Sequence, residues 1–176
     1  MAATTAPLTV EEFSKLLETG PFYYELRHGE LVPVTRPKRQ HVRIQNRLQK
    51  LLERAAPSML ADKEFAFRPV PEYELRVAHI ALISADRETQ IDPDDYLRGA
   101  PDLVIEVLSP SNTVAEIIEK EKLCLENGSK EFWIVDPDHR EVRVFTSSGM
   151  SAYRAGRQIP LAAFNGGSIN VDDIFV

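Results

Sequence analysis

The apolar and polar positions of this chain switch repeatedly between helical and strand-like periods. Near the start, Thr9 and Glu12 have capping-box spacing, and Val10, Phe13, Leu16 and Leu17 follow at helical intervals until Gly20-Pro21. A short first helix is predicted. Residues 22–26 and 31–34 are aromatic and β-branched runs around Arg27-His28-Gly29-Glu30, which reads as a hairpin. From about residue 38 to 56, Ile44, Leu48, Leu51, Leu52 and Ala55 recur on one helical face, and Pro57 ends the pattern. Residues 60–67 and 74–84 read as strands. An Asp/Arg/Pro-rich connection over 85–101 follows, with a helical turn expected near Asp94.

The strongest buried-strand signal is residues 103–108, where Glu106 is the one non-aliphatic position. Residues 109–112 supply helix-capping chemistry, and a helix is predicted over 113–127 with Val114, Ile117, Ile118 and Leu125 as its buried stripe. Residues 131–135 and 141–145 are two more strands around the turn Asp136-Pro137-Asp138. A weaker strand pattern covers 151–154, and 172–176 close the chain. The order of elements indicates an α/β (α+β) fold, a central mixed β-sheet flanked by helices, in a single domain over 1–176. It excludes an uninterrupted βαβ series and so argues against a doubly wound nucleotide-binding fold.

Composition narrows the picture. With 43% apolar and 27% charged residues, the 176-residue chain can bury a core and is neither disordered nor fibrous. The lone Cys124 excludes an intrachain disulfide and a Cys-rich zinc site, so a reducing cytoplasm is expected. No signal-peptide pattern and no membrane-length apolar run is found. The net charge of −6 argues at first against a nucleic-acid partner, but it averages two unlike parts. Residues 31–52 carry six Lys/Arg and no acid, which leaves 15 of the 21 basic residues against all 27 acidic ones, or −12. Arg39, Arg43, Arg47, Lys50 and Arg54 fall within an arc of about 80° on the second helix. Such a stripe suits phosphate contact, and equally a plain solvated face.

Three residues carry candidate chemistry. Glu106 has apolar neighbours on both strand faces, so it must be paired, metal-bound, open to a cleft or protonated. His79 shares its predicted strand face with Val77, Ala81 and Ile83; it is either a hydrogen-bonded core residue or a ligand. Lys120 lies at the edge of its helix stripe, where an ordinary i,i+4 pair with Glu116 competes with reach toward the sheet. His41, on the apolar side of the second helix, is expected to be buried and hydrogen-bonded. Glycine-rich phosphate loops, nucleophile elbows and His-Glu-x-x-His motifs are absent.

Three segments together, Tyr24-Glu25-Leu26-Arg27-His28-Gly29-Glu30-Leu31, residues 99–111 (Gly-Ala-Pro-Asp-Leu-Val-Ile-Glu-Val-Leu-Ser-Pro-Ser) and Glu131-Phe132-Trp133-Ile134-Val135-Asp136-Pro137, resemble the Uma family of restriction endonucleases, a branch of the PD-(D/E)XK nucleases. The resemblance spans nearly the whole chain. It implies a restriction-endonuclease-like core and magnesium- or manganese-dependent hydrolysis of nucleic-acid phosphodiesters, DNA foremost. By position, it assigns Glu106 and the Val107 carbonyl as metal ligands, Lys120 and Glu25 as catalytic partners, and His79 to the place of the family's metal-binding aspartate. Two departures stand out. The family's Arg-x-Pro-Asp is here Arg76-Val77-Ala78-His79, and a tyrosine four residues after the lysine is Cys124. No strict (D/E)-x-K triplet occurs. An impaired enzyme is therefore an alternative, as is a non-catalytic binding module that uses the Arg39 to Arg54 stripe. A homodimer paired through a sheet edge is a third expectation.

Overall fold

The computed structural model describes residues 6–17, 23–34, 37–110 and 112–176. Helix α1 (Val10–Leu17) begins with the expected box: Thr9 and Glu12 exchange backbone and side-chain hydrogen bonds. Its predicted stop at Gly20-Pro21 lies outside the described residues. Strands β1 (Tyr24–Arg27) and β2 (Glu30–Pro33) form the hairpin, closed by His28 and Gly29, both at positive φ. Gly29 is required twice over, because a side chain there would run into Pro7. Helix α2 (Arg39–Ala55) buries Ile44, Leu48 and Leu52.

Seven strands form the central sheet in the order β5-β3-β4-β6-β7-β8-β9. These are β3 (Met59–Arg68), β4 (Arg76–Ser84), β5 (Leu97–Arg98), β6 (Leu103–Val107), β7 (Glu131–Asp136), β8 (Glu141–Thr146) and β9 (Gly149–Tyr153). Pairing is antiparallel except for β3 with β5 and β6 with β7, so the sheet is mixed. The parallel β6 and β7 require a crossover, and α4 (Val114–Glu126) provides it. In the 85–101 connection the helix is α3 (Ala85–Glu88), a single hydrogen-bonded turn from Asp92 to Asp95 lies at Asp94, and β5 adds an edge strand. The tail holds β10 (Gln158–Pro160), β11 (Ser168–Asn170) and α5 (Val171–Ile174), whose short segments lack a readable period.

Apolar side chains divide between the two sheet faces. Ile80, Leu82, Ile105, Val107 and Trp133 pack with α2, α5 and the β10–β11 pair. Ala78, Ala81, Ile83, Val104 and Phe132 pack with Cys124 of α4. A third cluster, Val10, Phe13, Leu26 and Leu75, fastens α1 and the hairpin to the start of β4.

Helix α4 corrects two expectations. Its N-cap is Thr113, in a capping box with Glu116, while Ser109 and Asn112 bond to each other ahead of it. Val114 and Ile118 are exposed, and the inward face is Ile117, Lys120 and Cys124. Two apolar stripes run along this helix, and the sheet covers the one that includes the lysine.

Candidate active site

The site forms where β4 and β6 part. Their ladder runs through Leu82↔Leu103, Ala81↔Val104 and Ile80↔Ile105 and stops there. Beyond it, side chains replace the missing backbone partners. The His79 N–H donates to Glu106 Oε1 at 3.4 Å, and the Val107 N–H donates to His79 Nδ1 at 3.0 Å. On β3, Glu64 falls opposite His79 and takes a left-handed conformation, at φ 51°. Strand alternation slips by one residue at this point: Ala78 packs on the α4 side and Ile80 on the α2 side. His79 consequently does not line up with Ala81 and Ile83. Its ring instead meets His41 of α2 edge-on, with centroids 4.3 Å apart.

Glu106 is buried and paired, and Lys120 supplies the pairing. The Lys120 ammonium donates to the Val77 carbonyl at 2.7 Å and lies 3.0 Å from Glu106 Oε1 and 3.5 Å from Glu25 Oε1. Burial alone would push this ammonium toward its neutral form, but the two carboxylates outweigh it and hold the group above the usual lysine range. The Glu116–Lys120 helix pair expected from spacing does not form; Glu116 caps α4 and pairs with Arg27 at 2.9 Å. Glu25 accepts from the Val77 N–H and from Arg27, each at 2.9 Å. Burial alone would raise its pKa, yet the Lys120 ammonium, the Val77 N–H and Arg27 outweigh burial and bring it down to about 2. Glu25, Glu106 and Lys120 therefore converge, brought together from the hairpin, β6 and α4.

Glu106 Oε2 faces His79 Nδ1 at 3.2 Å. Two ligands at right angles, each about 2.1 Å from one divalent ion, stand roughly 3 Å apart. The spacing suits a shared cation. The imidazole lone pair, however, already accepts the Val107 N–H, and a cation must displace that bond. His41 completes the neighbourhood: both its ring nitrogens are buried and, contrary to expectation, without a hydrogen-bond partner among the described residues. Burial and the His79 ring next to it push its basicity down to about 4, so it is neutral at physiological pH.

Sequence reading missed a second charged cluster beside the first. Arg76, fully buried, bridges Glu74 and Glu119 at 2.6 Å each, and His28 reaches both carboxylates. Among the described residues, His28, Glu74 and Glu119 are the one grouping of three such donors close enough for a metal. The Arg76 guanidinium already pairs with both carboxylates. An alternation of Glu74 and Arg76 entering an otherwise apolar strand is the signal that could have pointed to it.

The five cations of α2 lie along one side of that helix, and none of them has a carboxylate partner among the described residues. The sequence profile of the Uma2 family, described as "Putative restriction endonuclease", matches residues 10–172. The chain belongs to the Uma2 family. Among solved structures, a crystal structure from Anabaena variabilis described as "a putative nuclease belonging to DUF820" matches with a TM-score of 0.81 at 22% identity, over 96% of this chain and 98% of that one. At that identity the likeness establishes a shared fold. No curated protein gives a significant sequence match. The Uma2 chain thus has a nuclease-like architecture, and no helix among its described residues is long and apolar enough to cross a membrane.

Proposed function

We propose that this Uma2 protein hydrolyses phosphodiester bonds of nucleic acid, DNA foremost, in a metal-dependent reaction centred on Glu106 and Lys120. The observation that carries the reading is the buried Lys120 ammonium held between two carboxylates where β4 and β6 separate. Glu106, His79 and the Val107 carbonyl would hold the divalent ion, and the imidazole in that set favours manganese over the oxygen-preferring magnesium. Such an ion, when bound, polarises the scissile phosphate and acidifies the attacking water. Lys120 stays charged throughout and offsets negative charge that develops on the phosphate oxygens. Glu25 acts through Lys120: with Arg27 and the Val77 N–H fixing its carboxylate, it sets where the ammonium points. Arg39, Arg43 and Arg47 of α2 supply the electrostatic attraction for the polyanion.

The hydrogen bond from Val107 to His79 favours a second reading, a nuclease fold retained for binding without hydrolysis, because it occupies the lone pair that the ion requires. Cleavage of single- and double-stranded DNA with magnesium and with manganese separates the two. The hydrolase reading expects manganese-dependent cleavage by the wild type and none by Glu106→Ala. Cleavage that survives Glu106→Ala would overturn the site. Cleavage that emerges only in His79→Asp would establish the binding protein instead.

A further inference from the structure

Along the side of α2 away from Leu48 and Leu52 runs an open groove of about 490 Å³, whose far wall is the β7–β8 turn. Arg39, Arg43 and Arg47 line one wall at successive helical turns; Arg140 and Phe175 face them, and no acidic side chain contributes. None of these four arginines has a carboxylate partner among the described residues, whereas Arg27, Arg68, Arg76, Arg87, Arg143 and Arg154 each hold one. In a chain of net charge −6, guanidinium groups left unneutralised on both walls of one concave surface mark a place for an anion.

Arg140 is held there by local chemistry. Asp136 accepts the N–H groups of Asp138 and His139, which shapes the turn, and Arg140 enters β8 from a left-handed conformation. Its guanidinium lies 5.8 Å from the Phe175 ring centre. The groove also sits at the catalytic end of the sheet. β6 and β7 run parallel with Val107 opposite Val135, so the turn that carries Arg140 starts at the same level as the Glu106 segment. His41, between Arg39 and Arg43 in sequence, reaches His79.

We infer that this groove seats one sugar–phosphate strand, with Arg43 and Arg140 gripping its phosphates from opposite walls. Lys50 and Arg54, although on the same stripe, do not line it. The inference rests on the hydrolase reading for the kind of polyanion. Concavity disfavours a membrane surface, and paired guanidinium forks suit phosphate oxygens in two-pronged contacts. The groove is a single channel between one helix and one turn, lined for one backbone.

The test is fluorescence anisotropy of a labelled single-stranded oligonucleotide in EDTA, where binding is read without cleavage, across a salt series. Arg43→Gln and Arg140→Gln are each expected to weaken binding by about tenfold. Each should also flatten the slope of log K against log salt by roughly 0.7. Lys50→Gln is expected to change affinity by less than about threefold. Equal loss from Arg140→Gln and Lys50→Gln, or none from Arg140→Gln, would overturn the groove. A duplex of the same sequence that binds as tightly, or polyglutamate that competes as well as the oligonucleotide, would overturn the single-strand assignment. If the wild type binds in this arginine-dependent way and does not cleave with either magnesium or manganese, the hydrolase reading fails and the groove stands. If it cleaves and Arg140→Gln leaves KM unchanged, the groove fails and the hydrolase stands.

Discussion

Lys120 Nζ lies 3.0 Å from Glu106 Oε1, a contact made between a helix and the strand that precedes it. Both groups are buried, so the pair stands or falls together. Lys120→Met should destabilise the fold by about 3–5 kcal/mol, because it leaves two carboxylates in the interior without their cation. Adding Glu106→Gln to that variant should recover part of the loss. Urea denaturation of the two single variants and the double variant reads the coupling, and simple additivity would refute the pairing.

Glu25 makes stability depend on acid. Its folded-state pKa of about 2 lies below the ordinary 4.5. The stabilisation is therefore complete above about pH 4.5 and is lost as pH falls toward 2, with a size of about 3 kcal/mol. In Glu25→Gln this part of the acid dependence should vanish. Urea midpoints between pH 2 and 6 give the comparison.

His41 predicts a gain. Its two buried nitrogens lack hydrogen-bond partners among the described residues, so His41→Leu should stabilise the metal-free protein by about 1 kcal/mol at neutral pH. Because the folded pKa is near 4 and the ordinary value 6.5, unfolding takes up a proton in that window, and wild-type stability falls as pH drops from 6.5 to 4. The advantage of His41→Leu should widen there. Thermal melts in chelator at pH 7 and pH 5 check both statements.

His79→Asp places a carboxylate against Glu106. Without a divalent ion the two negative charges repel, and the melting temperature should fall by several degrees. Magnesium should restore it in a concentration-dependent way, while the wild type responds more to manganese. Melting curves across a metal titration read this independently of any cleavage.

Much of this arrangement is legible in the sequence. A carboxylate inside Leu103-Val104-Ile105-Glu106-Val107 announces itself, as do the capping box of α1 and the stripe of α2. Lys120 was legible as a candidate but not as a buried one, because periodicity cannot say which of two apolar stripes on α4 meets the sheet. The place of His79 depends on a slip of strand alternation opposite Glu64, a tertiary event with no period of its own. Arg140 joins α2 only through the sheet that separates them in sequence, so no local pattern reveals it. The buried Arg76 is only half legible: its alternation with Glu74 stands in the sequence, but its second partner, Glu119, lies on a separate element.

The protein also carries its own reporter. Cys124 is fully buried one turn beyond Lys120, and burial raises its thiol to about 12. In the closed fold it is both shielded from reagents and held as the unreactive thiol. Alkylation of this one sulfur is therefore a clock for the lifting of α4 from the sheet, and any ligand that tightens the Lys120 contacts will slow it.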